Sequence, residues 1–290
     1  MINKEIEING KALKISTGQV AKQAAGSVMV SYGETTLIVA VNAAREMRED
    51  IDFFPLQVEY RERHYAGGKI PGGFFKREAR PSEREILTSR LTDRPIRPLF
   101  PKSFKYETQV IITVLTTDGE NPSDVLAGVG ASAALMVSNI PWNGPIATVR
   151  LAKVDEDFVV NPTKLQMEES SMELVVSGNK DTIVMVEGEA DLIAEDVFVN
   201  ALKFAHEDIK KIIALQEEIA KEVNPEKRDI PEDKANDKLN AAVDKSIGDK
   251  INDIIQLADK SERDSATSQL HQDTLESLEE KFPENEKEVK

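Results

Sequence analysis

The 290-residue chain contains no cysteine and only three histidines. Without cysteine it can form neither a disulfide nor a thiolate metal site, and it cannot use a cysteine nucleophile. His64, His206 and His271 are widely separated in the sequence and offer no zinc-ligand spacing. Any metal chemistry must therefore use carboxylates.

The sequence also lacks a long hydrophobic run. No segment approaches the roughly 18 uninterrupted apolar residues needed to cross a bilayer. Residues 1–7 alternate apolar with polar or charged residues instead of forming the core of a signal peptide. We therefore expect a cytoplasmic protein with no membrane association. The 40% hydrophobic content suffices for a packed core, and the length favours about two domains.

Hydrophobic periodicity predicts an α+β domain. Residues 124–137 are rich in Ala and Leu, which predicts a helix buried on more than one side, with Ser123 as its N-cap. From residue 198 to 223 apolar residues repeat near every 3.6 positions, which predicts a long amphipathic helix on a sheet face. The predicted strands lie at residues 11–15, 27–31, 35–42, 53–60, 107–117, 146–153, 158–160, 173–177 and 183–187.

Composition divides the chain into three parts. Residues 1–223 form the α+β core, and residues 224–235, which are charged and contain Pro225 and Pro231, form a linker. Residues 236–290 carry thin apolar stripes typical of a small all-α domain, although its last residues cannot bury anything and should fray. A chain that stops in such a segment is expected to be part of a longer protein.

Positive charge is concentrated in one segment. Residues 61–102 contain eleven Lys and Arg against five Asp and Glu, a local charge of +6 in a chain whose net charge is −15. The other residues therefore carry −21, since −15 minus +6 is −21. Such an island in an acidic protein indicates that a polyanion is bound at one place and repelled elsewhere.

The island begins with a glycine-rich loop. Gly67-Gly68 and Gly72-Gly73 supply backbone freedom on either side of a stiff proline. Phe74 and Phe75 follow, and adjacent exposed rings can stack on unpaired bases. Lys76, Arg77 and Arg80 beside them can bind phosphates. The alternative for the two rings is a hydrophobic plug that closes the loop.

A helix follows, because Ser82 and Glu85 have the spacing of a capping box. Its apolar residues predict the buried face, with Arg90 at the margin of that face. Pro95 and Pro98 are expected to end the helix and to hold Arg94 and Arg97 in an extended turn, where their planar guanidinium groups can bind phosphate. The residues predicted to be buried are Ile86, Leu87 and Leu91.

The alternative to phosphate binding is that these arginines form an ordinary network of salt bridges at the surface. Glu83, Glu85 and Asp93 could pair with them, but five acids cannot neutralise eleven bases. Elsewhere, acidic residues at 187–196 could gather around Mg²⁺, although carboxylates before a helix are more often solvated, and we assign no metal ligand there. No Ser-His-Asp order, P-loop or dinucleotide-binding glycine pattern is present.

Several segments resemble the first RNase PH-like core of the polynucleotide phosphorylase family. The most specific are residues 65–78 (YAGGKIPGGFFKRE) and 89–101 (SRLTDRPIRPLFP), and the resemblance covers residues 1 to about 223. The helical module occupies the place of the family's all-α domain. The expected fold is therefore an RNase PH-like core of mixed sheets packed with helices, followed by a small all-α domain.

The resemblance implies a function. Family members are homotrimeric rings that degrade single-stranded RNA from the 3′ end with inorganic phosphate and Mg²⁺, releasing nucleoside diphosphates, and they can join RNA-degradation complexes. The loop matching Phe74, Phe75, Lys76 and Arg77 lines the channel neck in the family. The family arginines matching Arg80, Arg90, Arg94 and Arg97 contribute to RNA or phosphate binding. Lys76 stands where Arg is commoner in the family. Lysine keeps the positive charge but lacks the planar guanidinium group that can bind two phosphate oxygens at once.

The resemblance also implies that this half is not catalytic. The active second core of the family uses a serine-rich turn and an Asp-x-Lys arrangement, for which this chain has Glu173-Leu174-Val175. We therefore expect no catalytic residue and no metal ligand here, with the Mg²⁺ ligands in a second core. The alternative hypothesis is a stand-alone RNA-binding or scaffold protein that is never an enzyme. The two hypotheses are distinguished by whether the natural reading frame continues past Lys290 into a second core.

Overall fold

The computed structural model describes residues 1–47, 51, 53–74, 76–78, 80–230, 237–279 and 282. The chain divides into two compact units, Met1–Pro231 and Glu232–Lys290. Phe75, part of the linker and the terminal segment from residue 283 lie outside the described residues. None of the described helices is long and apolar enough to span a membrane.

The described residues of the first unit form two sheets. The larger has the strand order β1-β2-β3-β4-β6-β5, and β5 pairs with β6 in parallel while the other neighbours are antiparallel. The smaller is antiparallel in the order β10-β9-β7-β8. The strands are β1 Ile2–Ile8, β2 Lys11–Thr17, β3 Gly26–Tyr32, β4 Thr35–Ala43, β5 Leu56–Glu62, β6 Thr108–Thr116, β7 Ala147–Val154, β8 Asp157–Val160, β9 Met172–Gly178 and β10 Ile183–Ala190.

The described part of this unit contains four α-helices, and two of them organise its core. They are α1 Glu83–Ile96, α2 Asp124–Val137, α3 Lys164–Glu168 and α4 Glu195–Val223. Helix α2 is buried along nearly its whole length and packs against β3 and β4 of one sheet and β7 of the other. Helix α4 covers β1 of the larger sheet and β7 and β9 of the smaller. Both predictions for these helices are confirmed.

Small residues bring α2 close to both sheets. A Cβ on Gly130 would lie 2.6 Å from Cγ2 of Val39, and a Cβ on Gly128 would lie 2.5 Å from Oγ1 of Thr148. Side chains at these positions would push the helix away from the sheets, because packed interiors leave no spare volume. Ser123 precedes α2 but does not cap it, since its hydroxyl lies 2.6 Å from the Tyr60 hydroxyl.

Residues 224–230, where the sequence predicts a linker, belong to the first unit and hydrogen-bond to its core. Nζ of Lys227 donates to the carbonyl oxygens of Leu135, Met136 and Ser138 at the end of α2, at 3.0, 3.2 and 2.8 Å. The guanidinium of Arg228 donates to the Ala44 carbonyl at 2.8 Å. A cation at a helix C-terminus satisfies carbonyls that have no partner within the helix, so these contacts hold the chain to the core beyond residue 223.

The second unit is helical in its described part. It contains α5 Asp237–Ile247, α6 Lys250–Ile255 and α7 Lys260–Glu279. Leu239, Leu270 and Leu278 are buried among its described residues, and α7 packs against both α5 and α6. The described residues of this segment are therefore helical, and its assignment as an all-α domain over 236–290 stays a prediction.

Candidate functional site

The glycine-rich loop leaves the larger sheet through a 3₁₀ turn. This turn spans His64–Gly67 and ends at Gly68, whose φ of 68° lies in the left-handed region that favours glycine. The next residues lead out to Phe74, whose side chain is 95% exposed. A ring at that exposure is accessible for stacking on a base. Phe75, the second ring of the prediction, lies outside the described residues.

Three cations follow on the same loop. Lys76 has a φ of 47°, and its N–H donates to the carbonyl of Gly73 at 2.9 Å, which closes a tight turn. Lys76, Arg77 and Arg80 are all exposed, and no salt bridge within the described ranges involves any of them. Their charges are therefore available to an anionic ligand.

Glu78 lies between these cations but is bound to the protein. Its Oε2 lies 2.9 Å from Nη1 of Arg63, and its Oε1 accepts from the backbone N–H of His64 at 2.5 Å and lies 2.9 Å from His64 Nδ1. The hydrogen bond from the His64 N–H, followed by the one from Arg63, lowers the pKa of Glu78 to about 2. The carboxylate is therefore charged at neutral pH.

Helix α1 begins with the predicted capping box. Oγ of Ser82 accepts from the N–H of Glu85, and the Glu85 carboxylate accepts from the N–H of Ser82 at 2.6 Å. Burial opposes the charge of Glu85, but these backbone hydrogen bonds and another from Glu62 outweigh it, so the pKa of Glu85 lies below its ordinary value. The sequence predicted this end of the helix correctly.

The buried face of α1 is largely polar before Pro95, which corrects the prediction for Ile86 and Leu87 but not for Leu91, which is half-buried against a small apolar cluster. Glu85, Thr88 and Thr92 are buried, whereas Ile86 and Leu87 are 48% and 53% exposed. The reason is the neighbouring strand: β5 is the edge of its sheet, and its N–H groups on that side need acceptors. The N–H of Glu62 donates to Glu85 and the N–H of Tyr60 donates to Ser89 Oγ.

Arg90 lies on the solvated side of α1 and not at the margin of its buried face. It is exposed and forms no salt bridge with the described acids. Arg94 follows one turn later, where its Nη1 lies 3.3 Å from Oε2 of Glu187 on β10. A groove of about 440 Å³ lies here, lined by Leu87, Arg90, Leu91, Asp93, Arg94, Arg97 and Glu187. The structure therefore brings three of the predicted arginines into one groove.

Arg97 has a different environment from the one expected. Its guanidinium binds both carboxylate oxygens of Asp93, at 2.8 and 2.6 Å, and donates to the carbonyls of Phe54 and Leu56 at 3.0 Å each. Arg97 therefore ties the end of α1 to the start of β5. Its role in RNA binding remains a prediction, and the structural role is clear from these contacts.

Pro95 does not end the helix, which corrects a second expectation. It lies in the last turn of α1, where Pro95 and Ile96 are buried, and a 3₁₀ turn over Arg97–Leu99 continues the chain. Proline disfavours a helical residue before it, but burial of these side chains outweighs that preference. Arg94 is consequently helical, and the backbone becomes extended only at Phe100, after the 3₁₀ turn that contains Pro98.

The ion pairs of Arg150 join residues that are distant in the sequence and were not predicted. Nη2 of Arg150 lies 2.5 Å from Oδ2 of Asp124, and Nη1 contacts Oε1 of Glu173. Arg150 is paired with Val175 across β7 and β9, so Glu173 is its diagonal neighbour on the same face. Val175 itself is buried with Val125 and Met185. The segment Glu173-Leu174-Val175 therefore carries a neutralised acid and a buried apolar residue.

A second groove, of about 570 Å³, contains this cluster. Asp124, Glu173, Glu187, Glu189 and Arg150 are among its lining residues. In the described part of the chain, no three or more His, Asp or Glu side chains are arranged to hold a metal ion. Arg84 lines this groove and also a third pocket of about 480 Å³, whose basic residues include Arg63, Lys69 and Lys164.

Comparison with known proteins gives the family. The models of domain 1 and domain 2 of the 3′ exoribonuclease family match residues 9–141 and 144–208. The chain belongs to the 3′ exoribonuclease family. The predicted α+β, RNase PH-like fold is thereby confirmed for the first unit.

Relatives in this exoribonuclease family are long proteins named polyribonucleotide nucleotidyltransferase. The chain is 46% identical to the one from Heliobacterium modesticaldum over 98% of its own length and 40% of the relative. It is 49% identical to the one from Thermomicrobium roseum over 94% of its own length and 34% of the relative. The chain therefore spans well under half the length of these relatives.

A solved structure shares the fold. It is described as the Archaeoglobus fulgidus exosome with RNA bound to the active site, and it matches with a TM-score of 0.58 at 20% identity. The match covers 74% of this chain and 89% of the archaeal chain. The two chains therefore share the RNase PH-like architecture.

Proposed function

We propose that this chain is the RNA-binding, ring-forming amino-terminal portion of a polyribonucleotide nucleotidyltransferase. The complete enzyme would degrade RNA from the 3′ end by phosphorolysis and release nucleoside diphosphates. The observation that carries the proposal is the group of exposed cations Lys76, Arg77, Arg80 and Arg90, none of which forms an ion pair within the described ranges. The identity with polyribonucleotide nucleotidyltransferases over nearly the whole chain supports it.

The arrangement suits a single strand of RNA. Phe74 extends from the loop and offers a stacking surface to any base, because every base has a π-face. Arg77 and Arg80 next to it bind phosphate oxygens through planar forks that stay charged at any physiological pH. The groove at Arg90 and Arg94 continues the positive surface along α1. RNA binding of this kind does not depend on the base sequence, because it uses base stacking and contacts to the phosphates of the backbone.

Under this proposal, the catalytic site for phosphorolysis lies in a part of the enzyme outside this chain. Mg²⁺ would need free carboxylates, but the guanidinium of Arg150 already binds Asp124 and Glu173, so the residues present do not fit a Mg²⁺ site. Val175 is buried and cannot polarise a phosphate. We place the Mg²⁺ and inorganic phosphate sites in a second core outside this chain, and we assign to the present core the guidance of the strand.

The quaternary and cellular parts of the proposal follow the family. A homotrimeric ring would bring three copies of the loop around one axis, and the second unit would be the all-α domain. The expected location is the cytoplasm, where the enzyme takes part in mRNA degradation and can join an RNA-degradation complex.

A pair of double variants tests RNA binding. Arg77→Ala/Arg80→Ala removes two loop cations that form no ion pair with the acids that the structure describes. Lys210→Ala/Lys211→Ala removes two cations of α4 that pair with Glu207 and Asp208. Fluorescence anisotropy with a labelled single-stranded oligonucleotide should show at least about tenfold weaker binding for the loop variant, since a hydrogen bond to a charged group is worth roughly 1.5 kcal/mol. The α4 variant should bind nearly as wild type. Equal weakening of both variants would show that only net charge matters and would contradict the proposal.

A further inference from the structure

An acid in the middle of an RNA-binding loop is unexpected on electrostatic grounds. Glu78 lies one residue from Arg77 and two from Arg80, where a free carboxylate would repel the phosphates that these arginines attract. Its carboxylate is engaged instead, with Arg63, the His64 backbone and the His64 ring. These three contacts join the far side of the loop to the residues just after β5.

Three glycines of the described loop pack against nothing. A Cβ added at Gly68, Gly72 or Gly73 would have no described heavy atom within 4 Å, so the backbone there runs through open space. Glycines in open space allow many backbone conformations. A fixed point next to the arginines would hold them in a binding arrangement before RNA arrives, and ordering side chains before binding increases affinity.

We infer that Glu78 is a positioning residue for RNA binding: by holding the loop to Arg63 and His64, it places Arg77 and Arg80 for phosphate contact. The inference rests on the proposed function, because it concerns the same loop and the same ligand. The inference and simple electrostatics predict opposite changes in RNA affinity when the charge of Glu78 is removed. Removing this negative charge weakens the binding of a polyanion instead of strengthening it.

Glu83 provides a matched control. It is an exposed acid of the same basic island, in the first turn of α1, and none of the salt bridges between described residues involves it. Glu78→Ala and Glu83→Ala therefore change the net charge equally, but only the first breaks the contacts to Arg63 and His64.

The experiment measures affinity for a labelled single-stranded RNA at fixed salt. Glu78→Ala should bind about tenfold more weakly than wild type, and Glu83→Ala should bind as wild type or slightly more tightly. Glu78→Gln keeps acceptors for the His64 N–H and should restore part of the affinity. The thermal midpoint of Glu78→Ala should stay that of wild type, because the site is at the surface. Amide exchange at His64 should accelerate in Glu78→Ala, since its N–H loses an acceptor.

The two sets of variants test the positioning role of Glu78 and RNA binding by the loop separately. Tighter RNA binding by Glu78→Ala, or equal effects of Glu78→Ala and Glu83→Ala, would overturn the positioning role and leave the proposed function standing. Unchanged binding by Arg77→Ala/Arg80→Ala would instead overturn the proposed function, whatever Glu78→Ala does. Weaker binding by Glu78→Ala with partial recovery in Glu78→Gln supports the inference.

Discussion

Nη2 of Arg150 lies 2.5 Å from Oδ2 of Asp124, and the same guanidinium contacts Glu173. One cation therefore neutralises two acids on the wall of the larger groove, from α2 on one side and β9 on the other. The side chains of Arg150 and Asp124 are only 11% and 14% exposed. An ion pair this far from water is costly to break, because the remaining charges lose their compensation.

Arg150→Ala should therefore destabilise the chain. We expect a loss of about 3 kcal/mol in the free energy of unfolding, measured by urea denaturation, since the variant leaves two partly buried carboxylates unpaired. Lys210→Ala breaks an exposed pair with Glu207 and should cost less than about 0.5 kcal/mol. Equal losses in the two variants would show that the Arg150 cluster contributes no more than a surface pair.

The same cluster predicts that this chain performs no phosphorolysis by itself. Incubation of the 290-residue chain with single-stranded RNA, phosphate and Mg²⁺ should release no nucleoside diphosphate, measured by separation of the nucleotides. The physical reason is that Arg150 neutralises Asp124 and Glu173 and that a valine stands at position 175. Release above the level without phosphate would show that a catalytic site is present in this half.

Glu187 should act as a competitor of RNA for Arg94. The two side chains are exposed and 3.3 Å apart, so a phosphate that binds Arg94 must displace the carboxylate. Glu187→Gln should raise the affinity for single-stranded RNA more than Glu189→Gln, which removes the same charge from the same strand. In an Arg94→Ala background the advantage of Glu187→Gln should disappear. A persisting advantage would show that Glu187 acts through the overall charge alone.

Phe74 and Phe75 should contribute to affinity without contributing to its salt dependence. Replacement of both by Ala should weaken RNA binding by about 1–3 kcal/mol per stacked base, whereas the slope of log affinity against log salt should stay that of wild type. Stacking releases no counterions, and phosphate contacts do. Unchanged affinity in this variant would favour the alternative of a hydrophobic plug.

The elements that sequence predicted best are those whose packing partners are apolar. The bounds of α2 match the predicted range at residues 124–137, because a helix between two sheets is apolar on all sides. The length of α4 followed from its 3.6 repeat for a similar reason, since one face lies on the sheets and the other in water.

Helix α1 shows where this reasoning fails. Hydrophobic periodicity assumes that apolar residues face inward, but α1 packs on an edge strand whose N–H groups require oxygen acceptors. Glu85 and Ser89, one turn apart, provide them. The sequence contains these polar residues at helical spacing. Their partners, the N–H groups of β5, could not be predicted, because the sequence does not show that β5 is an edge strand.

Contacts between distant segments were also beyond prediction. The pairs of Arg150 with Asp124 and Glu173 depend on the register of β7 and β9, and the contact of Glu78 with Arg63 depends on how the glycine-rich loop folds back. Arg97 was predicted to bind phosphate from an extended turn, with pairing to an acid such as Asp93 as the alternative, and in the structure it pairs with Asp93 four residues away. The spacing alone did not distinguish a phosphate ligand from an intrahelical pair.

The salt dependence of RNA binding tests the central claim most directly. If the strand is held by phosphate contacts to Lys76, Arg77, Arg80 and Arg90, the affinity of the chain for a single-stranded oligonucleotide should fall with a log–log slope of about 3, roughly 0.7 for each contact. Arg77→Ala/Arg80→Ala should reduce this slope by about 1.4. A wild-type slope near zero, or the same slope in the variant, would contradict RNA binding by this loop.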